Sequence, residues 1–457
     1  MANLGYHYIY RRLRELGASV ERFFASPVPY RSVEGDVMLE RFPIVMAAVA
    51  YEGDVPVLAK WLARGGISPS RERRDRDGFP LVGAGGAITY INPLSLAGVC
   101  DFIVLGDGLP VLPHIVDTLR SAGGRSETLK KLAEHPSILI PALHLDGHAR
   151  LEVSKRADLS DDFGHGNWIA PMSAFGDTLL VELQRGCERG CGFCVLPSCF
   201  APLRRRRSDV VSGDVKNVSE RVEFAQVGLV TPEAGDYPRL DRLLEDVEFL
   251  GKGVSFASLR VDGLTRNVVK ALARGGRHSL TIAPETGDDE FRASCGKRFT
   301  NDRIIDALAM AKEEGIAKVK LYFMIGLPGE SDGEILSIAA LCGRIRRETG
   351  LRLTATVSPF IPKPGAAWQC ESFTGERELK AKLALLRSSA GGIPGVSIQN
   401  ASVKEASLEY ALSWASLDTS KKIAEAAEYS VSIKIKSAFV DRDAATRELS
   451  SLGLFTK

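Results

Sequence analysis

The chain has 457 residues, of which 45% are hydrophobic and 25% charged, and this composition predicts a globular protein of two or three domains. Its formal net charge is only +2 at pH 7, so any contact with nucleic acid depends on a local patch, and a nucleic-acid partner stays open. No apolar run of about 18 residues predicts a membrane span, and Met1 does not lead into a signal peptide. We therefore expect a cytoplasmic protein without a membrane partner, in which clustered cysteines serve as metal ligands or catalytic thiols and not as disulfides.

The first segment, residues 1–125, alternates helical patterns with short apolar runs such as PIVMAAVAYE, FPLVGAGGA and DFIVLGDG. This alternation predicts a small doubly wound α/β domain with a mostly parallel sheet. Its first helix, NLGYHYIYRRLRELG, has no strand before it, although such domains usually begin on a strand. We therefore expect either a domain that lacks its first strand or a start upstream of Met1.

Several small residues of this first domain lie at the ends of predicted strands. They would line a ligand crevice if one exists, but simple turns are the favoured interpretation. These residues are Gly85, Gly86, Gly106, Asp107 and Gly108.

Residues 126–178 are expected to form a connector, with a hairpin around Asp146 and Gly147 before a polar, glycine-rich stretch. Over residues 179–371, six predicted strands alternate with helices, which favours a partial (β/α)6 barrel of the TIM type. Active residues of such a barrel lie at the carboxyl ends of its strands. Residues 372–457 combine helical and strand-like patterns and are expected to be a mixed C-terminal extension without a usable motif.

The stretch CERGCGFC places Cys187, Cys191 and Cys194 directly after a predicted strand, with glycines between and beside them. Glycines let a short loop bend its sulfurs onto one object. Zinc usually takes four ligands, whereas three thiolates suit a four-iron cluster with one open iron. Cys199 as a fourth ligand would instead give a closed electron-transfer cluster. Three cysteines outside this stretch, Cys100, Cys342 and Cys370, are expected to be small apolar core residues.

The pattern C-x-x-x-C-x-x-C, with Phe193 before its last cysteine, resembles the radical S-adenosylmethionine (radical SAM) superfamily. Further segments follow in the order of that family: SLRVD, LTIAPETG, CGKRFTNDRIIDALAMAKEEG, KVKLYFMIGLPGE and VSPFIPKPGAAW. The resemblance covers about residues 179–370. The N-terminal segment PLVGAGGAITYINPLSLAGVCDFIVLGDG is similar to the cobalamin-binding-like domain of one branch, especially to a group of uncharacterised radical SAM proteins.

The resemblance implies that Cys187, Cys191 and Cys194 hold a 4Fe-4S cluster whose open iron binds the amino and carboxylate groups of S-adenosylmethionine (SAM). An electron from the cluster then breaks a carbon–sulfur bond and gives a 5′-deoxyadenosyl radical. It also implies an electron donor, such as a flavodoxin or a ferredoxin.

Other cofactor-binding positions are likewise implied by the resemblance. Thr231 and Glu233 occupy the place of a Gly-Gly-Glu-like turn that receives the SAM amino group, but they depart from that pattern, so only the position is carried over. Arg260 and Glu285 stand at strand ends where they could meet the SAM carboxylate, amine or ribose. The turn with Gly326 and Pro328 corresponds to the turn whose backbone approaches the adenine of SAM in the family.

Two runs of charge receive different interpretations. For Arg204 to Arg207, two interpretations are equally favoured. These arginines bind an anion near the cluster, or they form a solvated stretch that leads into a helix. The segment RERRDR at residues 71–76 is expected to be only a solvated run.

The sequence leaves open whether the protein binds cobalamin. No histidine lies in the Asp-x-His-x-x-Gly pattern of methionine-synthase-type domains, but radical SAM members of this branch often lack it.

Our first hypothesis is a radical SAM enzyme acting on an unknown substrate, with cobalamin-dependent methyl transfer as a candidate reaction. The alternatives are a cobalamin-free radical SAM enzyme that modifies RNA or protein, and a non-catalytic iron–sulfur electron carrier. Substrate and oligomeric state are not predicted.

Overall fold

The structure is a computed structural model, and it describes residues 3–25, 30–77, 80–145, 149–160, 164–169, 175–257, 259–276, 278–429 and 440–455. The chain divides into two compact units. The N-terminal unit comprises residues 5–156, 363–365 and 407–457, and the barrel unit comprises residues 1–4, 157–362 and 366–406.

The strands in chain order are β1 Ile44–Ala48, β2 Leu81–Gly85, β3 Phe102–Val104, β4 Ile138–Leu139, β5 Thr178–Glu182, β6 Gln184–Arg185, β7 Arg204–Arg205, β8 Gln226–Val230, β9 Gly253–Phe256, β10 Ser279–Glu285, β11 Lys318–Ile325, β12 Arg352–Pro359 and β13 Val396–Asn400.

The helices in chain order are α1 Leu4–Glu15, α2 Asp54–Arg64, α3 Arg71–Asp77, α4 Leu112–Ser121, α5 Arg125–Leu132, α6 Pro141–His144, α7 Leu196–Cys199, α8 Ser208–Ser219, α9 Leu240–Phe249, α10 Arg266–Arg274, α11 Asp289–Ser294, α12 Asn301–Glu313, α13 Asp332–Thr349, α14 Glu376–Ala390, α15 Val403–Ser413, α16 Leu417–Glu428 and α17 Arg442–Ser451.

The N-terminal unit is built on one sheet with the order β1-β2-β3-β4. The first three strands are parallel, and β4 is antiparallel to β3. Helices α2 and α16 pack together, and Val55, Leu62 and Ile423 are fully buried in their shared core. The predicted doubly wound α/β character of this segment is confirmed. Residues 407–457 of the tail belong to this unit, whereas residues 372–406 belong to the barrel unit.

The barrel unit contains the six predicted strands β5, β8, β9, β10, β11 and β12. They form two parallel sheets in the described residues, β5-β8-β9 and β10-β11-β12-β13. This arrangement confirms the partial (β/α) barrel. Strand β13 was not predicted, because its sequence VSIQN alternates apolar and polar residues over only one short run after a Gly-Gly-Ile-Pro-Gly turn.

Alternation along β11 and β12 separates two faces of the larger sheet. In each strand every second residue is buried, and the residues between them are exposed or half-buried. The buried residues share one core with the apolar faces of α12 and α13, which include Ile304, Leu308 and Ile338. The helices therefore cover one face of the sheet, and the other face is the inner face of the barrel.

Two expectations about local environment are wrong. Cys370 is exposed, whereas Cys100 and Cys342 are buried as expected; Cys370 lies after the last barrel strand, in a segment without helix or strand. The run at residues 71–76 is not simply solvated, because Arg74 of α3 is fully buried and forms an ion pair with Asp101. Charge alone could not reveal that carboxylate, which lies 27 residues away in sequence.

Two further expectations concern the hairpin around Asp146 and Gly147 and the strand-like pattern of the C-terminal extension, SVSIKIKS at residues 430–437. The turn of the hairpin and this strand-like segment lie outside the described residues. Within the described ranges, no helix has the length and apolar character that crossing a membrane requires.

Candidate functional site

The three clustered cysteines lie on a loop that we call the cysteine loop, residues 186–203. Antiparallel pairing of β6 with β7 closes its base. Gly186 begins the loop with φ of +86°, and a Cβ there would lie 2.6 Å from the carbonyl oxygen of Phe200. Glycine is therefore needed where the chain leaves the strand. Cys187, Cys191 and Cys194 are all free thiols on this loop.

Backbone contacts hold the cysteine loop against its surroundings in the barrel unit. Gly192 N donates to Cys295 O at 3.2 Å, and Trp368 N donates to Gly192 O at 2.9 Å. A Cβ on Gly192 would overlap the indole ring of Trp368, and one on Gly296 would overlap the carbonyl oxygen of Gly190. These close approaches fix the loop without using its sulfur atoms.

The electrostatics of the thiols fit a site for a cationic group. Burial, together with the charges of Cys191 and Cys187, raises the pKa of Cys194 to about 11. Burial also raises the pKa of Cys187, with Cys191 again adding to the shift. Three neighbouring thiolates need a positive partner, and iron ions would supply it. In the described part of the chain, no three His, Cys, Asp or Glu side chains converge on a single-ion site; a cluster does not require this, because each thiolate binds a separate iron.

Arg260 follows β9 and lies next to the cysteine loop. Its Nη1 is 3.9 Å from Cys191 Sγ, and its Nε is 3.0 Å from Asp262 Oδ1. Burial lowers the pKa of Arg260, but the hydrogen bonds and charge of Asp262 outweigh burial and raise it overall. The guanidinium is therefore a fixed positive charge beside a predicted cluster ligand.

Glu233 is a buried charge next to Arg260. Its Oε1 accepts a hydrogen bond from Gly235 N at 2.9 Å, and its Oε2 lies 3.7 Å from Arg260 Nε. Among the described residues, Oε2 has no hydrogen-bond partner. Burial raises the pKa of this carboxyl group despite Arg260. Thr231 is also buried, and its Oγ1 accepts a hydrogen bond from Glu233 N at 3.2 Å, so Thr231 shapes the turn.

Glu285 ends β10 in an unusual backbone conformation. Its φ is +67°, and the register between β10 and β11 shifts between Ile282 and Glu285. Lys297 Nζ lies 2.5 Å from Glu285 Oε1 and donates to Ala283 O at 2.7 Å. Burial raises the pKa of Glu285, and the charges of Lys297 and Arg260 oppose this rise. A non-glycine residue at positive φ is strained, and such strain is concentrated at functional sites.

Arg292 holds both sides of the Glu285 bend. It is fully buried, and its guanidinium donates to Pro284 O at 3.2 Å and to Thr286 O at 2.7 Å. A further bond of 2.6 Å joins it to Asn301 Oδ1. These contacts stabilise a conformation that the sequence of β10 alone would not adopt.

The turn after β11 contains Gly326 and Pro328. Gly326 has φ of +75°, and its N–H donates to Glu330 Oε2 at 2.7 Å. Glu330 is paired with Lys382 at 3.1 Å. Pro328 is half-buried in the same turn. The turn therefore lies at the carboxyl end of β11, as Glu285 lies at that of β10.

The structure thus brings Cys191, Arg260 and Glu233 into direct proximity and links Glu285 to Arg260 through their charges. Gly326 and Pro328 follow the next strand. Sequence reasoning missed Lys297, which lies in the segment CGKRFTNDRIIDALAMAKEEG, and Arg292, which lies just before that segment. Their charges were the available signal, but only the fold reveals that Lys297 contacts the Glu285 carboxylate and that Arg292 binds the backbone on both sides of it.

The four arginines after the cysteines form hydrogen bonds and ion pairs with other residues of the barrel unit. Arg204 is buried, and it donates to Pro202 O at 3.1 Å and to Phe200 O at 3.3 Å. Arg205 donates to Gln184 Oε1 at 3.2 Å, buried Arg206 pairs with Asp214 at 2.5 Å, and exposed Arg207 pairs with Asp209 at 2.5 Å. Among these four arginines, only Arg207 fits the interpretation as a solvated charge that precedes a helix. Arg204 to Arg206 stabilise the base of the cysteine loop.

The strand-end glycines of the N-terminal unit are tightly packed within that unit. A Cβ on Gly86 would overlap the carbonyl oxygen of Val49, and one on Gly106 would overlap that of Ser154. Asp107 accepts a hydrogen bond from Arg156 N at 2.8 Å. These contacts favour the interpretation as turns.

Comparison with known families identifies the chain. Residues 181–342 match the family described as the Radical SAM superfamily, and residues 6–141 match the family described as Radical SAM proteins, N-terminal. Together the two stretches span more than half of the chain. The chain belongs to the radical SAM superfamily, whose enzymes use a 4Fe-4S cluster and SAM.

Relatives and solved structures agree with this family. An uncharacterised protein of Methanocaldococcus jannaschii is 32% identical over 222 residues, which are 49% of this chain and 49% of that relative, so the match spans about half of its length. TsrM from Kitasatospora setae, a radical SAM methyltransferase with cobalamin and a [4Fe-4S] cluster bound, aligns with a TM-score of 0.56 at 13% identity, over 81% of this chain and 74% of that chain. OxsB, a cobalamin-dependent SAM radical enzyme with aqua-cobalamin bound, aligns with a TM-score of 0.53 at 14% identity, over 74% and 49% of the respective chains. At these identities the likeness to the two structures is one of fold.

Proposed function

We propose that the chain reductively cleaves SAM at a 4Fe-4S cluster held by Cys187, Cys191 and Cys194, and that this cleavage begins radical chemistry on a substrate. The observation that carries the proposal is the group of three free thiols, of which Cys191 lies beside Arg260, together with the unsatisfied carboxylate oxygen of Glu233. A bound cluster of this kind supplies one electron to SAM, whose carbon–sulfur bond breaks to give methionine and a 5′-deoxyadenosyl radical.

The side chains around the loop supply complementary charges for SAM. Arg260 would bind its carboxylate, and Glu233 Oε2 would accept a hydrogen bond from its amino group, because this oxygen is buried without a hydrogen-bond partner in the described residues. Glu285, held in its strained bend, would accept from the ribose hydroxyls or the amine. The backbone at Gly326 and Pro328 would approach the adenine. The buried surroundings would strengthen each of these interactions.

The test is anaerobic reconstitution of the full chain with iron and sulfide, followed by addition of SAM and dithionite. We expect 5′-deoxyadenosine and methionine as products. Reconstituted protein that carries four irons but yields neither product would contradict the proposal and favour an electron carrier. A flavodoxin or a ferredoxin in place of dithionite would then identify the class of electron donor.

We further propose that the N-terminal unit binds a corrinoid, so that the radical reaction leads to methyl transfer. Support comes from the match of residues 6–141 to the N-terminal family and from the fold shared with TsrM and OxsB. Because no histidine has the sequence context of the usual cobalt ligand, we expect binding without a protein imidazole on the cobalt.

Titration of the full chain with hydroxocobalamin, followed by visible absorbance, tests this second step. Saturable binding without the spectrum of an imidazole-bound cobalt is expected. Absence of binding would remove cobalamin and leave a radical SAM enzyme that modifies RNA or protein without it.

A further inference from the structure

The inner face of the larger sheet in the barrel unit is polar where a barrel interior is normally apolar. The helix-covered residues of β11 are Val319, Leu321, Phe323 and Ile325. The inner-face residues of β11 and β12 are Lys318, Lys320, Tyr322, Met324, Arg352, Thr354, Thr356 and Ser358. Closed barrels fill this space with bulky branched side chains, so a wall of this composition is unsuited to close packing.

This inner face is also open to solvent. Tyr322 is 36% exposed although β11 is hydrogen-bonded to a strand on each side. Lys318 and Arg352 are exposed, and Lys320 is half-buried. Because a tyrosine in the middle of a central strand keeps this exposure, the described residues do not fully cover this face, and another molecule can reach it.

The charges on this face have one sign. Lys318 and Arg352 are direct register partners, and Lys320 is two residues further along the same face. In the portion of the chain described by the structure, none of the three cations has an ion-pair partner. Adjacent like charges are destabilising across a strand pair. An anion bound between them would remove that repulsion.

Two further polar groups lie on the same strands near Tyr322. Lys320 Nζ lies 4.9 Å from the ring centroid of Tyr322, so the cation and the aromatic ring are neighbours on this face. Thr356 is the register partner of Tyr322, and its buried Oγ1 has no hydrogen-bond partner in the described ranges. Buried hydroxyl groups are usually bonded, so the unsatisfied hydroxyl of Thr356 is unusual for a residue in the middle of a sheet.

We propose that this inner face binds the substrate, and that the substrate is an elongated molecule carrying a phosphate group. Phosphate has several oxygens and more than one charge, which match the donors of Lys318, Lys320 and Arg352. Ile325, at the end of β11, is five positions after Lys320, so the phosphate lies about 16 Å from the strand ends where the reaction begins. The inference rests on the proposed function only for the position of the reacting end.

Pyrophosphate is the probe for this site. The reconstituted full chain is acetylated with and without pyrophosphate at low salt, and the modified lysines are quantified by mass spectrometry. We expect pyrophosphate to slow acetylation of Lys318 and Lys320 severalfold and to leave Lys312 unchanged, because Lys312 is an exposed cation on the helical side of the barrel unit. Equal protection of all three lysines, or of none, would overturn the proposal.

Single substitutions on this face test which residues contribute to pyrophosphate binding. Lys320→Gln should weaken pyrophosphate binding about tenfold in calorimetric titration, since it removes one charge-assisted contact. Arg352→Gln, at the exposed start of β12, should act in the same direction and serves if the Lys320 variant folds poorly. Lys312→Gln is the matched control and should change nothing; an equal loss in this control would overturn the site.

SAM cleavage measured on the same preparations separates this inference from the proposed function. Protection of Lys318 and Lys320 without SAM cleavage would leave the phosphate site standing and contradict the radical activity. Cleavage of SAM without protection of either lysine would leave the activity standing and overturn the phosphate site.

Discussion

Each of the two units holds an arginine beside a buried carboxylate, but the units complete these pairs differently. In the N-terminal unit, Arg74 and Asp101 are both fully buried, and the Asp101 carboxylate accepts from Arg74 Nε at 3.2 Å, Arg125 Nη2 at 2.7 Å and Val82 N at 2.7 Å. Arg74 also donates to Ser68 O at 2.6 Å and to Val99 O. This cluster uses its hydrogen-bonding capacity internally.

In the barrel unit, Arg260 and Glu233 lie 3.7 Å apart, and Glu233 Oε2 accepts no hydrogen bond within the described ranges. An internally bonded pair stabilises the fold, whereas an unsatisfied buried oxygen costs stability and is suited to a ligand that supplies the missing donor. The difference indicates which charges are structural and which are kept for binding. It can be tested by changing one group at a time.

The largest effect is expected at the cysteines next to Arg260. Cys187→Ala, Cys191→Ala and Cys194→Ala, made singly, should each abolish the visible absorbance of the cluster and SAM cleavage, because each removes one of three thiolates. Cys199→Ala is the matched control on the same loop and should retain both properties. Loss of iron in Cys199→Ala, together with tolerance of one of the other three changes, would contradict the ligand assignment.

The internally bonded cluster should respond in stability instead. Asp101→Asn removes the charge that balances buried Arg74, and we expect a loss of about 3–5 kcal/mol in the free energy of unfolding. SAM cleavage by the protein that remains folded should be unchanged. Urea unfolding followed by circular dichroism gives the first quantity, and product analysis at low temperature gives the second. A stable variant with impaired cleavage would break the distinction between the two clusters.

Much of this architecture was predictable because it depends on patterns of neighbouring residues. The strands β1, β2, β3 and the six barrel strands follow from apolar runs ended by glycine or proline. The spacing of Cys187, Cys191 and Cys194 predicted their common loop. In contrast, the burial of Arg74 depends on Asp101, and the bend at Glu285 depends on Lys297 and Arg292; these partners are distant in sequence or were hidden in an ordinary helical segment. Local pattern gives the elements, but three-dimensional contacts decide which charges are satisfied.

The matching carboxylate-to-amide change in the barrel unit is Glu233→Gln. We expect SAM binding to weaken about tenfold, because a charge-assisted hydrogen bond is replaced by a neutral one. The free energy of unfolding at neutral pH should not fall, since the substitution removes a buried charge that has no hydrogen bond on one oxygen. Equilibrium binding of SAM and urea unfolding measure the two effects. Strong destabilisation like that of Asp101→Asn would contradict the comparison.

The same residue gives a pH dependence with a definite sign. Because burial raises the pKa of Glu233 above its ordinary value of 4.5, the folded protein binds the proton more tightly than the unfolded chain. This contribution to stability is therefore present at pH 4.5 and below and is lost as the pH rises through the raised value. Glu233→Gln should flatten that part of the stability profile. An unchanged slope would contradict the assigned shift.

The smallest effect is expected at the outermost arginine of the basic run. Arg207→Ala should leave the melting temperature and SAM cleavage unchanged, because Arg207 and its partner Asp209 are both exposed. Arg206→Met, one residue earlier, should lower the melting temperature because it leaves Asp214 without its buried partner. Equal melting temperatures for the two variants would show that burial does not separate these arginines.

The central claim is that the cysteine loop holds a cluster with one iron left open for SAM. Electron paramagnetic resonance of the reduced, reconstituted protein, recorded before and after addition of SAM, tests this claim most directly. We predict the signal of a reduced 4Fe-4S cluster whose g values change when SAM is added, because SAM binds the open iron. A cluster signal that is identical with and without SAM would mean that all four irons already have protein ligands, and it would contradict the account.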